Sequence, residues 1–168
     1  HTDMQDALQK YADENDVEVF IEKEITIPRL NVRSFLDAMV LKDGALYDIK
    51  TCNDYKWQSI FGRYGSKEPP QNYAIQLGTY GLYFREKGVK LRKMALLFYN
   101  KNNSRVKELR VPRTYIDMAE RYWLKVQELF KEGLPPIEKG LAPVEDWECN
   151  AKYCSFFEAC GGGIKGLD

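Results

Sequence analysis

The sequence has no net charge: 25 lysines and arginines balance 25 aspartates and glutamates over 168 residues. No global field therefore gathers nucleic acid, and any polyanion has to meet a local basic patch. No apolar run approaches the ~20 residues that a membrane span needs, and no basic, apolar and small-residue succession resembles a signal peptide. These absences argue against a membrane role and make the cytoplasm the expected compartment. Internal repeats and low-complexity tracts are missing too. Position 1 is His1 rather than methionine, so the expectation is that something precedes it.

What is present suits one compact domain, because 44% of the residues are hydrophobic. Met4, Ala7, Leu8 and Tyr11 recur at helical spacing behind Thr2 or Asp3, which predicts a short helix ending near Asn15. "VEVFIEKEITIP" then alternates Val19, Ile21, Ile25 and Ile27 with Glu18, Glu22, Glu24 and Thr26, a strand stopped by Pro28, with Glu22 and Glu24 facing solvent. Two more strands flank Asp43-Gly44. A helix carries Tyr73, Leu77, Tyr80 and Phe84 and ends before Gly88. "KMALLFY" and "VKELRV" read as a strand pair. A long helix capped by Thr114 shows a stripe of Tyr115, Ala119, Tyr122, Val126 and Leu129, and Gly133 closes it. The expected class is α/β or α+β with a mixed sheet. Residues 1–140 form the core, and a proline-bearing linker leads into a cysteine-bearing segment, 141–168, on the same domain.

Asp43-Gly44 is the strongest short hairpin signal in the chain. A two-residue turn there pairs Lys42 with Ala45, Leu41 with Leu46, Met39 with Asp48 and Asp37 with Lys50. Asp37, Asp48 and Lys50 then share one face, and Leu36, Ala38, Val40, Tyr47 and Ile49 form a core face on the other side. Two carboxylates held close repel unless a cation separates them, and Mg²⁺ characteristically takes one or two carboxylates with water and phosphate. Lys50 would orient or activate a water, or stabilise charge on a phosphate. The alternative is a solvated strand face with a cross-strand salt bridge worth under ~1 kcal/mol.

The pattern resembles the PD-(D/E)xK phosphodiesterase superfamily, and within it the RecB-like exonucleases and related CRISPR-associated and phage nucleases. The likeness rests on "FLDA" with Asp37, "YDIKT" with Asp48, Ile49 and Lys50, and "QLGTY" with Gln76 and Tyr80, in that order. Gln76 and Tyr80 are i,i+4 neighbours on one helical face. Phe35 departs from the family, which often has glycine there. The resemblance implies a restriction-endonuclease-like core and a metal-dependent DNA exonuclease acting on single-stranded or end-exposed DNA in recombination, repair or phage replication, with a recombination or helicase partner. Asp37, Asp48, the Ile49 carbonyl and His1 would hold Mg²⁺ or Mn²⁺, with Gln76 and Tyr80 orienting Lys50 or a phosphate. The alternatives are a catalytically silent DNA-binding or assembly module of the same fold, a structure-selective endonuclease, or an RNase.

Three of the four cysteines crowd the C-terminus, which in a reducing compartment favours metal or iron–sulfur ligation over disulfides. The resemblance implies that Cys149, Cys154 and Cys160 bind a [4Fe-4S] cluster with a fourth ligand upstream of residue 1. The four residues between Cys149 and Cys154 depart from the family's two. Zinc is the next reading, and reduced structural thiols the third. Cys52 reads as a small strand-end residue. DNA contact is expected along "YKWQSIFGRYGSK", where Lys56 and Arg63 alternate with Trp57 and Tyr64 as in a single-strand channel. A surface flap has the same composition.

Overall fold

The computed structural model describes residues 6, 9, 10, 13, 14, 19–40, 44–131 and 151–155, except for the side chains at 37–40, 129 and 130. His1, Cys149, Cys160, Asp43 and Gly133 lie outside the described residues, as does the 141–168 segment apart from 151–155. Residues 6, 9, 10, 13 and 14 are helical, in line with the predicted first helix.

The sheet has five strands in the order β1-β2-β3-β4-β5. In β1 (Val19–Ile27) the alternation is realised at its end, where Ile25 and Ile27 are buried and Glu24 and Thr26 are exposed. Pro28 cannot continue the ladder, and Pro28–Leu30 form one 3₁₀ turn. Asn31, left-handed at φ 51°, donates its N–H to the Pro28 carbonyl. The chain so reverses into β2 (Val32–Val40), pairing Ile27 with Val32. Glu22 and Glu24 are exposed, as expected, and Glu24 is paired with Arg33.

The next connection differs from the expected tight turn. Val40, not Lys42, pairs with Ala45 at the start of β3 (Ala45–Cys52), so the register is not that of a two-residue turn at Asp43-Gly44. The cause is long-range. Gly44, at φ +59°, accepts hydrogen bonds at its carbonyl from the Arg92 and Lys93 amides, and a Cβ there would meet the Lys90 carbonyl at 2.7 Å. Gly44 is thus taken up by the chain that enters β4 (Lys93–Asn100), which pairs with β3 in parallel from Ala45 and Lys93 onward.

A parallel pair needs a crossover, and two helices supply it, α1 (Asp54–Phe61) and α2 (Gln71–Glu86). Asn53 caps α1 by accepting from the Lys56 amide. At the other end of α2, Gly88 at φ +73° lets the Val89 amide reach back to the Phe84 carbonyl. β5 (Val106–Arg110) pairs antiparallel with β4, and α3 (Thr114–Lys131) follows. The α3 stripe is rotated from expectation: Ile116 and Ala119 are buried, and Tyr115 and Tyr122 only partly so.

One face of β3 and β4, with Leu46, Met94, Leu96 and Phe98, packs in the core cluster with Leu77 and Tyr80 of α2. α3 lies against α2. Gly78 and Gly81 permit this approach, since a Cβ at Gly78 would stand 2.2 Å from the Tyr115 carbonyl oxygen. An ion-pair network seals the junction: Arg29 reaches Glu86 at 2.6 Å and Glu120 at 2.5 Å, while Arg85 bonds Asp117 and Glu120. Burial alone would raise the Glu120 carboxyl, but hydrogen bonds from the two arginines outweigh it and hold the group below its ordinary 4.5. A carboxylate depressed by folding stabilises above its unfolded value, and that contribution is lost as pH falls through the folded one. The thermal midpoint is therefore expected to drop on acidification below about pH 4.5, and to drop less in Glu120→Gln, as scanning calorimetry across pH would register.

Candidate active site

β3 is buried on both faces, and the sequence departs from an ordinary buried strand at Asp48 and Lys50. Asp48 is 0% exposed. A carboxylate so desolvated is costly unless a cation or several donors accompany it, and Lys50, two residues on and so on the same face, brings its Nζ to 2.8 Å from Asp48 Oδ2. The charged face was expected to lie away from the core; instead it is the face covered by α2, with Leu46 and Cys52 on either side of the pair. The opposite face is buried as well, through Ala45 and Ile49.

α2 completes the arrangement. Gln76 Oε1 accepts from Lys50 Nζ at 2.8 Å, and Gln76 Nε2 donates to the Tyr80 hydroxyl at 2.7 Å. Tyr80 is itself buried. The chain from Asp48 through Lys50 and Gln76 to Tyr80 fixes the amide orientation, because the glutamine oxygen has to face the ammonium. Lys50 Nζ is thus directed at two protein oxygens, one of Asp48 and one of Gln76. Tyr73, one turn before Gln76, is one of the residues whose helical spacing predicts α2. It also presents its ring to Lys50 Nζ at 4.8 Å and to Lys56 Nζ at 6.0 Å. Its spacing of three from Gln76 was the available signal.

The backbone of Asp37 lies in β2. The ladder ends at the Ala38–Tyr47 pair; continued by one step, its register would set Asp37 level with Asp48 rather than with the expected Lys50. Aspartate carboxylates and a backbone carbonyl are an all-oxygen donor set, which suits a hard divalent cation. Among the described residues no group of three His, Cys, Asp or Glu side chains is gathered.

Of the expected DNA contacts, Trp57 is corrected. It is 8% exposed on α1 and packs against Phe61, with ring centroids 4.9 Å apart, so its ring belongs to the core rather than to a stacking surface. Tyr64 is 92% exposed beside Arg63. At the end of α2 and the start of β4, Arg85 and Lys93 are engaged by Asp117, Glu120 and Glu108. Cys154 is half-buried and unbridged. Cys52 is buried at the end of β3, where burial and then the Asp54 carboxylate push its thiol up, which suits an inert packing residue.

No family model matches the chain, and no curated protein matches it in sequence. Solved structures do. The chain is similar to an alkaline exonuclease from Laribacter hongkongensis, with a TM-score of 0.51 and 18% identity over 75% of this chain and 64% of the exonuclease. It thus spans under two thirds of that protein's length. A second similar structure, SSO0001, has a TM-score of 0.46 and 18% identity over 94% of this chain and 67% of its own. The fold, a mixed sheet with an antiparallel meander flanked by helices, is one that an exonuclease also has. No helix among the described residues is long and apolar enough to cross a membrane.

Proposed function

We propose that the chain is a metal-dependent deoxyribonuclease of the PD-(D/E)xK type, hydrolysing phosphodiester bonds in single-stranded or end-exposed DNA. The observation that supports this best is the Lys50 ammonium, held between a fully buried carboxylate and the Gln76 amide in a fold shared with an exonuclease. A lysine needed only to neutralise Asp48 would not require a glutamine and a buried tyrosine to aim it.

In this reading Asp37, Asp48 and the Ile49 carbonyl hold Mg²⁺ or Mn²⁺, with His1 as a further ligand. When bound, the ion polarises the phosphate and lowers the pKa of water. Hydrolysis joins a water oxygen to phosphorus, breaks one P–O ester bond, and moves a proton off the water and another onto the leaving oxygen. Lys50 orients the water and stabilises the charge that develops on phosphate oxygens. Gln76 and Tyr80 hold that ammonium in place. Lys56, Arg63 and Tyr64 contact the DNA. The cluster ascribed to Cys149, Cys154 and Cys160 remains part of this proposal, as does a recombination or helicase partner.

Asp48→Asn tests the reading, because the amide keeps the shape of the acid while removing the charge. We expect Mn²⁺-dependent DNA cleavage to fall at least about 10²-fold, measured on end-labelled linear and circular DNA and on RNA; undiminished cleavage would sink it. Tyr73 is expected to act through Lys50: Tyr73→Leu should lower kcat about two- to thirtyfold with KM little changed, whereas Tyr73→Phe keeps the ring and the rate.

A further inference from the structure

A cavity of about 310 Å³ opens beside the proposed catalytic lysine and has no part in the function so far. Its floor is one stripe of α2, including Asn72, Gln76 and Tyr80, and its walls are Ser34 of β2 and Tyr122 and Trp123 of α3. Gln76 belongs to both places: its side chain lines the cavity, and its Oε1 accepts from Lys50. A phosphate held at Lys50 would therefore sit next to Gln76, which the cavity adjoins.

The lining has a definite chemistry. Tyr122 and Trp123 of α3 bring two aromatic rings to the lining, the Trp123 N–H donating to Thr79 Oγ1 at 2.9 Å, Asn72 and Ser34 bring an amide and a hydroxyl, and no acidic residue stands among the described lining residues. Arg33 is the one cation among the described lining residues, and Glu24 already pairs with it, Nε to Oε1 at 2.9 Å. The cavity is thus nearly neutral. That disfavours a phosphate as occupant and favours a flat, uncharged ring system with hydrogen-bonding edges, and its volume lies at the small end for ligand sites.

Resting on the nuclease reading, we propose that this cavity receives the base of a nucleotide flanking the scissile phosphate. The base has to leave its stack to enter, which costs least in a single strand or at a frayed end. The site would then select for unpaired substrate through Tyr122 and its neighbours rather than through the metal-binding residues, and by position rather than by base identity, since every base has a π face.

The test uses single-stranded oligonucleotides in which one abasic residue is walked along the chain, with wild type and Tyr122→Ala. We expect the abasic residue to lower kcat/KM about ten- to hundredfold at one position beside the cut. Tyr122→Ala should cost a similar factor on the intact strand and abolish the penalty of the missing base. Equal cleavage of all the strands by wild type overturns the cavity's role and leaves the nuclease standing. If wild type cuts none of them, fluorescence anisotropy with the same strands decides: an affinity loss at one position that disappears in Tyr122→Ala supports the cavity, and equal affinities overturn it. Ser34→Phe, which fills the opening from the strand side, guards against misfolding of the helix variant and should reproduce its effect.

Discussion

Lys50→Ala is expected to do two things at once: to lower DNA hydrolysis by about 10²- to 10³-fold and to lower the thermal midpoint by roughly 10 °C. The second effect follows from burial. Asp48 is 0% exposed, and removing its ammonium partner leaves a carboxylate in the interior, a change that typically costs about 3–5 kcal/mol. The double variant Asp48→Asn with Lys50→Met, which removes both charges, should recover most of that loss and none of the activity. Divalent cation separates the two roles. If Asp48 is a metal ligand as proposed, Mn²⁺ should raise the midpoint of Lys50→Ala more than that of wild type, because in the variant the cation would replace the missing positive charge, while in wild type it would share Asp48 with Lys50. Differential scanning fluorimetry with and without Mn²⁺ checks this, and a midpoint of Lys50→Ala equal to that of wild type would contradict it.

The second large effect belongs to a residue without a side chain. Gly78→Ala is expected to destabilise by about 2–3 kcal/mol, although alanine is the better helix former by about 1 kcal/mol. Its Cβ would meet the Tyr115 carbonyl oxygen at 2.2 Å and its carbon at 2.8 Å, and backbone cannot step aside as a side chain can. Gly81→Ala is the control, since its nearest contact is the Ile116 side chain at 2.9 Å, and it should cost less. Gly78 lies two residues from Gln76 on the same helix, so pushing α2 away from α3 displaces the partner of Lys50. The folded fraction of Gly78→Ala should then lose turnover too. Urea titration with single-turnover cleavage reads both. A variant as stable as wild type would mean that the helices separate freely and are not held at that spacing.

The parts of the site carried by local rules were legible in the sequence. An acid and a lysine two apart on a strand share a face in any register, and a glutamine and tyrosine four apart share a face of any helix; that the two pairs meet, as they do, was implied by the family resemblance and not by those rules. Where a distant segment decides, the local rule lost. Asp43-Gly44 has the composition of a two-residue turn, yet Gly44 is claimed by Arg92 and Lys93, about fifty residues away in the chain, and β3 follows β4 rather than its own hairpin. The stretch "DYKWQSIF" carries Trp57, Ile60 and Phe61 at i, i+3 and i+4, a helix signal behind the Asn53 cap. Its alternating basic and aromatic residues suggested a DNA channel, and the core took the tryptophan. The burial of the charged face was not legible either, because it depends on α2 lying across that side of the sheet.

Whether Asp48 and Lys50 form a catalytic pair or a buried structural one is decided by assaying folded wild type, Asp48→Asn and Lys50→Ala on end-labelled linear DNA, with Mn²⁺ and with chelator. A catalytic pair gives cleavage by wild type that requires the metal and is lost in both variants while circular dichroism shows both folded. Metal-independent cleavage, or full cleavage by a folded Lys50→Ala, would contradict it.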